Sequence, residues 1–292
     1  MNYESIQELI DQASEKKIRL SELILTDQAI SMETGETAIL ERMDAQLTVM
    51  QESATHGKQA DIRSTSGLSG GDACKMAHYH ETAGSLSGDF CAAAISTAIA
   101  IAEYNASMGR IVAAPTAGSC GILPAAVLTM MEKRDISRQD ACMALVLSGG
   151  VGMVIANVAS IAGATGGCQA ECGSAAAMAA AALVELNGGT PEMVGHAMAI
   201  SIKNQLGLVC DPVAGLVEVP CIKRNAGSIM CAIMAADLAL AGVKSVIPVD
   251  EVISAMNEVG ATLPCALRET AQGGLATTPT GMKLAESILR ST

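Results

Sequence analysis

The feature that most constrains the fold of this chain is a hydrophobic content made almost entirely of small and aliphatic side chains. Half of the 292 residues are hydrophobic, yet the sequence holds three Tyr, one Phe and no Trp. A core of Ala, Val, Ile, Leu and Met lets helices approach closely. No segment shows the sustained alternation of apolar and polar residues that marks a half-buried strand. The pattern therefore predicts an all-α fold of tightly packed helices.

Helical periodicity runs through two parts of different composition. Residues 1–60 form a charged helical N-terminal region, with apolar side chains at helical spacing such as Ile6, Leu9 and Ile10. From about residue 64, apolar helices alternate with glycine-rich loops. Helices are predicted at 88–107, 122–134, 137–148, 171–186, 191–203, 226–241, 250–259 and 280–291. Because no linker or repeat divides the chain, we expect residues 1–292 to form a single domain, a compact helical bundle.

The charge balance and the first residues exclude several classes of protein. Thirty acidic and eighteen basic side chains give a net charge of −12, which would repel a phosphate backbone, so nucleic acid is not expected as a partner. The first twenty residues are charged and lack the apolar stretch and cleavage site of a secretory signal. The sequence therefore predicts a cytoplasmic protein.

One stretch is long enough to span a bilayer, because no charged residue lies between Asp140 and Glu171. Glycine and polar residues interrupt it, and no aromatic residue marks its ends. These features favour a buried helix followed by a glycine-rich loop, without a membrane. A non-catalytic helical membrane or scaffold protein, in which the glycines serve helix packing, remains the alternative.

Four loops carry the chemistry of the chain: residues 64–72, 114–121, 166–171 and 210–225. Each combines glycine with hydroxyl, thiol or carboxamide groups. Glycine lets the backbone approach a ligand closely, and functional residues concentrate on loops. We therefore expect these loops to form a site.

Three of the ten cysteines, Cys168, Cys210 and Cys221, lie beside glycine or proline in these loops. Cytosolic thiols are kept reduced, so a disulfide framework is not expected. The wide spacing of the three differs from the compact C-x-x-C runs of ferredoxins and zinc sites. Free cysteines also often pack as small hydrophobes. From the residues alone, metal ligation and packing both remain open.

Five motifs, in order over nearly the whole chain, identify a family resemblance. They are Ser66-Gly-Leu-Ser-Gly-Gly71, Ala114-Pro-Thr-Ala-Gly-Ser-Cys-Gly121, Gly167-Cys-Gln-Ala-Glu171, Cys210-Asp-Pro-Val-Ala-Gly215 and Val219-Pro-Cys-Ile-Lys-Arg-Asn225. Together they resemble the alpha subunit of bacterial iron–sulfur-dependent L-serine dehydratase. The resemblance implies an all-helical lyase of amino-acid catabolism and gluconeogenesis that converts L-serine to pyruvate and ammonia. It implies a [4Fe-4S] cluster as cofactor and no pyridoxal phosphate.

The resemblance places the cluster ligands at Cys168, Cys210 and Cys221. Three thiolates leave one iron available, and an exposed iron is a Lewis acid that can bind and polarise the serine hydroxyl. In one line of the family a cysteine at the extreme C-terminus is the resting fourth ligand, and this chain ends without one. The fourth ligand and the catalytic base, which could lie on a partner subunit, therefore stay open.

Candidate substrate-binding residues lie on the first two loops and just after the first. Hydroxyl groups on glycine loops can accompany backbone N–H donors in an anion-binding concavity, which selects Ser66, Ser69, Thr116 and Ser119. Their alternative role is local turn capping. Lys75 matches a family position and is a candidate partner of the substrate carboxylate.

Other residues near the motifs allow two interpretations each. Cys120 could approach the cluster, although packing is favoured, and Cys172 is assigned to the core. Glu171 is either a supporting group behind the cluster ligands or an acid in the first turn of a helix.

The resemblance also implies a partner. Relatives that are one longer chain carry an additional N-terminal domain, so a separate beta subunit is expected here, giving a heterodimer. The alternative enzyme is an iron–sulfur L-cysteine desulfidase, in which sulfide leaves in a related β-elimination.

Overall fold

The computed structural model describes residues 3–289, and these residues form an all-α fold with no β-strand among them. The prediction of the fold class is confirmed. Thirteen α-helices lie within this range: α1 (Ile6–Lys16), α2 (Leu20–Ser31), α3 (Glu36–Gly57), α4 (Asp72–Ala83), α5 (Gly88–Ala106), α6 (Ile122–Arg134), α7 (Arg138–Val158), α8 (Gly163–Gly166), α9 (Ser174–Leu186), α10 (Pro191–Lys203), α11 (Cys221–Leu240), α12 (Val249–Thr262) and α13 (Pro279–Leu289).

Several helices begin where a hydroxyl side chain satisfies a free backbone N–H group. The Ser5 hydroxyl accepts a hydrogen bond from the Glu8 N–H at 3.0 Å, and Ser137 does the same for Asp140 at 3.1 Å. Thr190 caps α10, whose first residue is proline, a residue pre-organised for the first helical position. These local signals fix the starts of α1, α7 and α10.

The alanine-rich helix α9 lies at the centre of the fold. Every residue from Ser174 to Val184 is buried, and α6, α7, α10 and α11 pack around it. Short side chains on α9 allow its neighbours to approach closely on all sides. The largest apolar cluster extends from Tyr3 to Met256, so the charged N-terminal helices contribute to the same core.

Helix α7 is longer than predicted, because it continues through Gly149, Gly150 and Gly152 to Val158. The expected glycine loop after residue 148 was wrong. A Cβ atom on Gly150 would lie 2.6 Å from Ile24 Cδ1, and one on Gly152 would lie 3.0 Å from the Met178 side chain. These glycines therefore give α2 and α9 room to pack against α7 and do not end the helix.

One further helix and one further boundary differ from the sequence prediction. Helix α4 was not predicted. Helix α11 begins at Cys221, whereas the predicted helix started at residue 226. Of the last predicted helix, 280–291, the part beyond Leu289 lies outside the described residues.

Helix α7 has the length and composition of a membrane span. Its most apolar window has a mean hydropathy of 2.0, and 67% of that window is buried inside the protein. Core helices of proteins without a membrane pass the same test. No other helix among residues 3–289 does so.

Candidate metal centre

The three predicted cluster cysteines come from three separate segments that meet at one end of α11. Cys168 precedes a single π-helical turn, Gln169–Gly173, which leads into α9. Cys210 lies between α10 and α11, and Cys221 is the first residue of α11. All three are buried, and Arg224, in the first turn of α11, hydrogen-bonds to Val209 and Asp211 on either side of Cys210. The segments of the three cysteines therefore meet.

Backbone hydrogen bonds hold two of these segments together. The Gln169 N–H donates to the Leu208 carbonyl at 2.9 Å, which joins the turn after Cys168 to the segment before Cys210. The Cys210 N–H donates to the Leu267 carbonyl at 2.9 Å, and its carbonyl accepts from the Glu269 N–H at 2.8 Å. The position of the Cys210 thiol is thus fixed from both sides.

Asn225 attaches the loop at 114–121 to the start of α11. Its side-chain amide donates to the Gly118 carbonyl at 2.7 Å and to the Cys221 carbonyl at 2.9 Å, and its oxygen accepts from the Gly121 N–H at 2.9 Å. All three bonds belong to one buried side chain. A single residue therefore positions the loop relative to Cys221.

The carboxylate of Glu171 lies among the same groups. A Cβ atom on Gly163 would lie 2.7 Å from Glu171 Oε2 and 3.2 Å from Cys210 Sγ, so the carboxylate and the thiol lie close together where this glycine leaves space. Burial raises the pKa of Glu171, and a hydrogen bond from the Thr116 side chain partly opposes that rise. The carboxylate is therefore part of the site and is not a surface charge at a helix start.

The positive charge of the site is Arg224. Its guanidinium donates to the Val209 carbonyl at 2.7 Å and to Asp211 Oδ1 at 2.8 Å. The other oxygen of Asp211 accepts from the Leu275 N–H at 2.8 Å. The charge of Arg224 also favours the thiolate form of Cys168. This buried ion pair thus links α11, the Cys210 segment and the chain after α12.

The thiols differ in their electrostatic environment. Burial raises the pKa of Cys221 to about 12, and burial together with the charges of Cys168 and Glu171 raises that of Cys210 further. The pKa of Cys168 is lowered, chiefly by its contact with Cys172, whose sulfur lies 3.4 Å away.

The donor set fits a cluster of several irons better than a single ion. Among residues 3–289, no three His, Cys, Asp or Glu side chains are placed to enclose one metal ion. Cysteine thiolates are the usual ligands of iron–sulfur clusters, whose irons are bound at separate corners, so the ligating sulfurs need not touch. The convergent but separated thiols of Cys168, Cys210 and Cys221 have this chemistry.

An open cleft of about 770 Å³ lies next to Cys210. Its walls come from α8, the Cys210–Cys221 segment and the chain after α12, and they include Thr165, Gly215, Arg268 and Glu269. Arg268 is the backbone bridge partner of Cys210. The cleft therefore adjoins the backbone of Cys210, while the Cys210 thiol itself is buried.

Three of the predicted substrate-binding hydroxyls make internal hydrogen bonds. The buried Ser69 donates to Glu218 at 2.8 Å, and Ser66 accepts from the Leu68 N–H at 3.1 Å within its own turn. Ser119 is fully buried and lies 3.0 Å from the Thr116 hydroxyl. The bonds of Ser66 and Ser119 are the local roles that serine performs in turns, whereas that of Ser69 joins its loop to the segment before Cys221.

The other two candidates differ from each other. Lys75 has a side chain that is 75% exposed and pairs with Asp72 at 2.8 Å. Thr116 is the one of the five candidates whose side chain acts on Glu171, where it opposes the rise in pKa that burial causes. The structure therefore places Thr116, with Ser119 bonded to it, near Glu171, and gives Ser66, Ser69 and Lys75 other partners.

The two remaining cysteines of the motif loops lie in different environments. Cys120 is fully buried and packs with Ala54 and Ile101 in a small cluster of its own, the role that the sequence favoured. Cys172 is buried as predicted, and its sulfur also contacts Cys168. Its assignment to the core was correct but omitted this contact.

Comparison with known proteins assigns the family. A family model described as serine dehydratase alpha chain matches residues 15–276. The chain belongs to the serine dehydratase alpha chain family. It is 50% identical over 286 residues to the probable L-serine dehydratase alpha chain of Bacillus subtilis, covering 98% of this chain and 95% of that protein. It is 48% identical to the L-serine dehydratase alpha chain of Peptoniphilus asaccharolyticus, with 97% of each covered.

Longer members of the family match over a smaller region. L-serine dehydratase TdcG of Escherichia coli is 44% identical over 182 residues, which are 61% of this chain and 40% of that protein. The resemblance identified from the five motifs is thus confirmed at the level of the family.

Several residues of the site were missed by the sequence analysis. Arg224 and Asn225 follow Cys221 by three and four residues, so they share a helix face with it once α11 is known to begin at Cys221. The predicted helix began after them, which hid this relation. Asp211 lies in a quoted motif but was assigned no role there, and Arg268 and Glu269 carry no local signal, because tertiary contacts alone bring them to the site.

Proposed function

We propose that this chain is the catalytic alpha subunit of an L-serine dehydratase, a lyase that forms pyruvate and ammonia. The cofactor is a [4Fe-4S] cluster held by Cys168, Cys210 and Cys221, and pyridoxal phosphate is not used. The observation that carries the proposal is the convergence of three buried cysteines from distant segments beside the Glu171 carboxylate. The names of the relatives at about half identity support the same activity.

The cluster, when bound through three thiolates, supplies an iron that acts as a Lewis acid toward the β-hydroxyl group of the substrate. The chain itself contributes the geometry. Backbone bonds fix Cys210, Asn225 fixes the loop beside Cys221, and the charge of Arg224 favours the thiolate form of Cys168. Charged groups that are already in position before the reaction stabilise the transition state more than groups that must first reorganise.

The proposal includes a beta subunit as partner and L-serine as substrate. Naming of the relatives as alpha chains supports a second subunit, and the net charge of −12 argues against nucleic acid. The cytoplasm is the proposed compartment, where thiols and an oxygen-sensitive cluster remain reduced.

The test is anaerobic purification of the chain with its beta subunit, followed by iron and acid-labile sulfide analysis. Substitutions Cys168→Ala, Cys210→Ala and Cys221→Ala are each expected to lower the iron content strongly. Cys142→Ala, a buried cysteine on α7 away from the site, is the matched control and should retain its iron. Full iron in all three ligand variants would contradict the proposed cluster site.

The substrate is tested on the loaded complex by pyruvate formation from L-serine and L-cysteine and by 2-oxobutyrate formation from L-threonine. The proposal expects L-serine to give the highest kcat/KM. Preference for L-cysteine would assign a desulfidase, and a colourless protein that partitions into detergent would exclude both enzymes.

A further inference from the structure

The cleft beside Cys210 contains two charged side chains of opposite sign, Arg268 and Glu269. They are adjacent in the chain and flank the backbone bridge to Cys210, because the Leu267 carbonyl and the Glu269 N–H both bond to that cysteine. Their place in the site is therefore set by the same hydrogen bonds that position the thiol.

Arg268 is available for a ligand. Among the described residues, no carboxylate lies within ion-pair distance of its guanidinium. The one bond that its side chain makes is a long one, 3.5 Å, to the Thr165 carbonyl of α8. The guanidinium thus reaches from the segment of Cys210 toward α8, the helix that begins at Gly163 beside Glu171 and the Cys210 thiol. A half-buried guanidinium with spare donors is suited to a carboxylate.

Glu269 lines the same cleft as Arg268, and its backbone N–H donates to the carbonyl of Cys210 at 2.8 Å. Glu269 adopts a left-handed backbone conformation with φ of 64°, a costly state for a non-glycine residue. Its side chain is exposed and lines the cleft.

We propose that Arg268 and Glu269 bind the α-carboxylate and the α-ammonium groups, respectively, of an amino-acid substrate. The inference deepens the proposed function and rests on it for the identity of the substrate. A zwitterion held at both charged groups presents its β-carbon in a fixed direction relative to the thiol site. Lys75, the cation that the sequence favoured for the carboxylate, instead pairs with Asp72.

The first test uses the alpha and beta subunits together, loaded with the cluster under anaerobic conditions. Arg268→Gln is expected to raise KM for L-serine roughly 10- to 100-fold, as loss of a charged hydrogen bond does, with a smaller change in kcat. Arg268→Lys keeps the positive charge but loses the bidentate geometry of the guanidinium. Its KM should therefore lie between that of the parent complex and that of Arg268→Gln. Arg134→Gln, an exposed arginine at the end of α6, is the matched control and should leave KM unchanged.

The second test measures binding without turnover, by calorimetry with glycine and glycinamide. Neither ligand has a β-carbon, so neither can undergo elimination. The parent complex is expected to prefer glycine, whose carboxylate can pair with Arg268, and Arg268→Gln should lose that preference. Glu269→Gln should weaken both ligands, because both carry the ammonium group. Iron content of each variant is measured alongside, to separate loss of binding from loss of the cluster.

An unchanged KM and an unchanged preference for glycine in iron-replete Arg268→Gln would overturn the inference. Should that variant lose its iron, Arg268→Lys decides by the same two measurements. The two proposals fail separately. A parent complex that binds glycine through Arg268 but forms no pyruvate from L-serine contradicts the proposed activity alone.

Discussion

Buried carboxylates carry much of the polar structure of this fold, and Glu185 shows the consequence for stability. It lies in the last turn of α9 and accepts a hydrogen bond from the Ser21 N–H at 3.1 Å. Burial raises its pKa, and the bonds from Ser21 oppose the rise only in part. Because the folded state holds this proton more tightly, its contribution to stability is present at low pH. It is lost as the pH rises from about 4.5 through the higher pKa of the folded state.

Glu185→Gln should therefore change the pH dependence of stability. Glutamine retains an acceptor for Ser21 but carries no charge to be desolvated. We expect the difference in stability between the variant and the parent protein to shift in favour of the variant as the pH rises from 5 to 7.5. The midpoint of urea unfolding measures the stability of each. Glu52→Gln, at an exposed position of α3, is the matched control. A difference between variant and parent that does not vary with pH would contradict the assignment.

Individual residues also show which parts of the site could be predicted from the sequence and which could not. Cys168, Cys210 and Cys221 stood out because glycine or proline accompanies them in recognisable motifs. Arg268 stands in no such motif, and a hydrogen-bonded bridge to a residue far earlier in the chain places it in the cleft. Contacts between distant segments leave no local pattern in a single sequence.

At the scale of an element, helix α4 depends on a carboxylate from its neighbour. Glu103 on α5 is buried and accepts hydrogen bonds from the N–H groups of Asp72 at 3.0 Å and Ala73 at 3.2 Å. Its negative charge lies at the N-terminus of α4, where the helix dipole is positive. The residue before the helix, Gly71, has no side chain to cap it.

Glu103→Gln should destabilise the protein by about 1–3 kcal/mol, because charged hydrogen bonds are replaced by one neutral acceptor. The free energy of unfolding in urea measures the effect. Glu81→Gln, an exposed glutamate on α4 itself, should change it by less than about 0.5 kcal/mol. Equal effects of the two substitutions would show that Glu103 is no more than a surface charge.

The helices also show why their ends were harder to predict than their presence. The periodicity identified most of the long helices, since their apolar faces repeat at 3.6 residues. The prediction ended α7 at its glycines, although these glycines let the side chains of Ile24 and Met178 pack against the helix. Helix α4 escaped prediction because its N-terminal cap comes from Glu103 on another helix. Propensity is a weak guide wherever tertiary packing supplies the stabilisation.

At the scale of the whole molecule, an all-α scaffold of small side chains supports a site built from loops. Around the central helix α9, neighbouring helices pack closely, and their ends bring the loops near residues 116, 168, 210 and 221 together. Most of these loops come from distant parts of the chain. A rigid helical core is therefore what gives the thiols a defined geometry before any ligand binds.

The open cleft beside the backbone of Cys210 gives the last prediction, on the role of the proposed beta subunit. The cleft of about 770 Å³ is lined partly by exposed residues, including Cys265 and Glu269, and is open to solvent. Charge interactions are stronger where water is excluded. Pyruvate formation by the cluster-loaded alpha chain alone should therefore be weak or absent, and addition of the beta subunit should raise kcat at unchanged iron content. A heat-inactivated beta subunit is the control. Full turnover by the loaded alpha chain alone would show that its own residues complete the site.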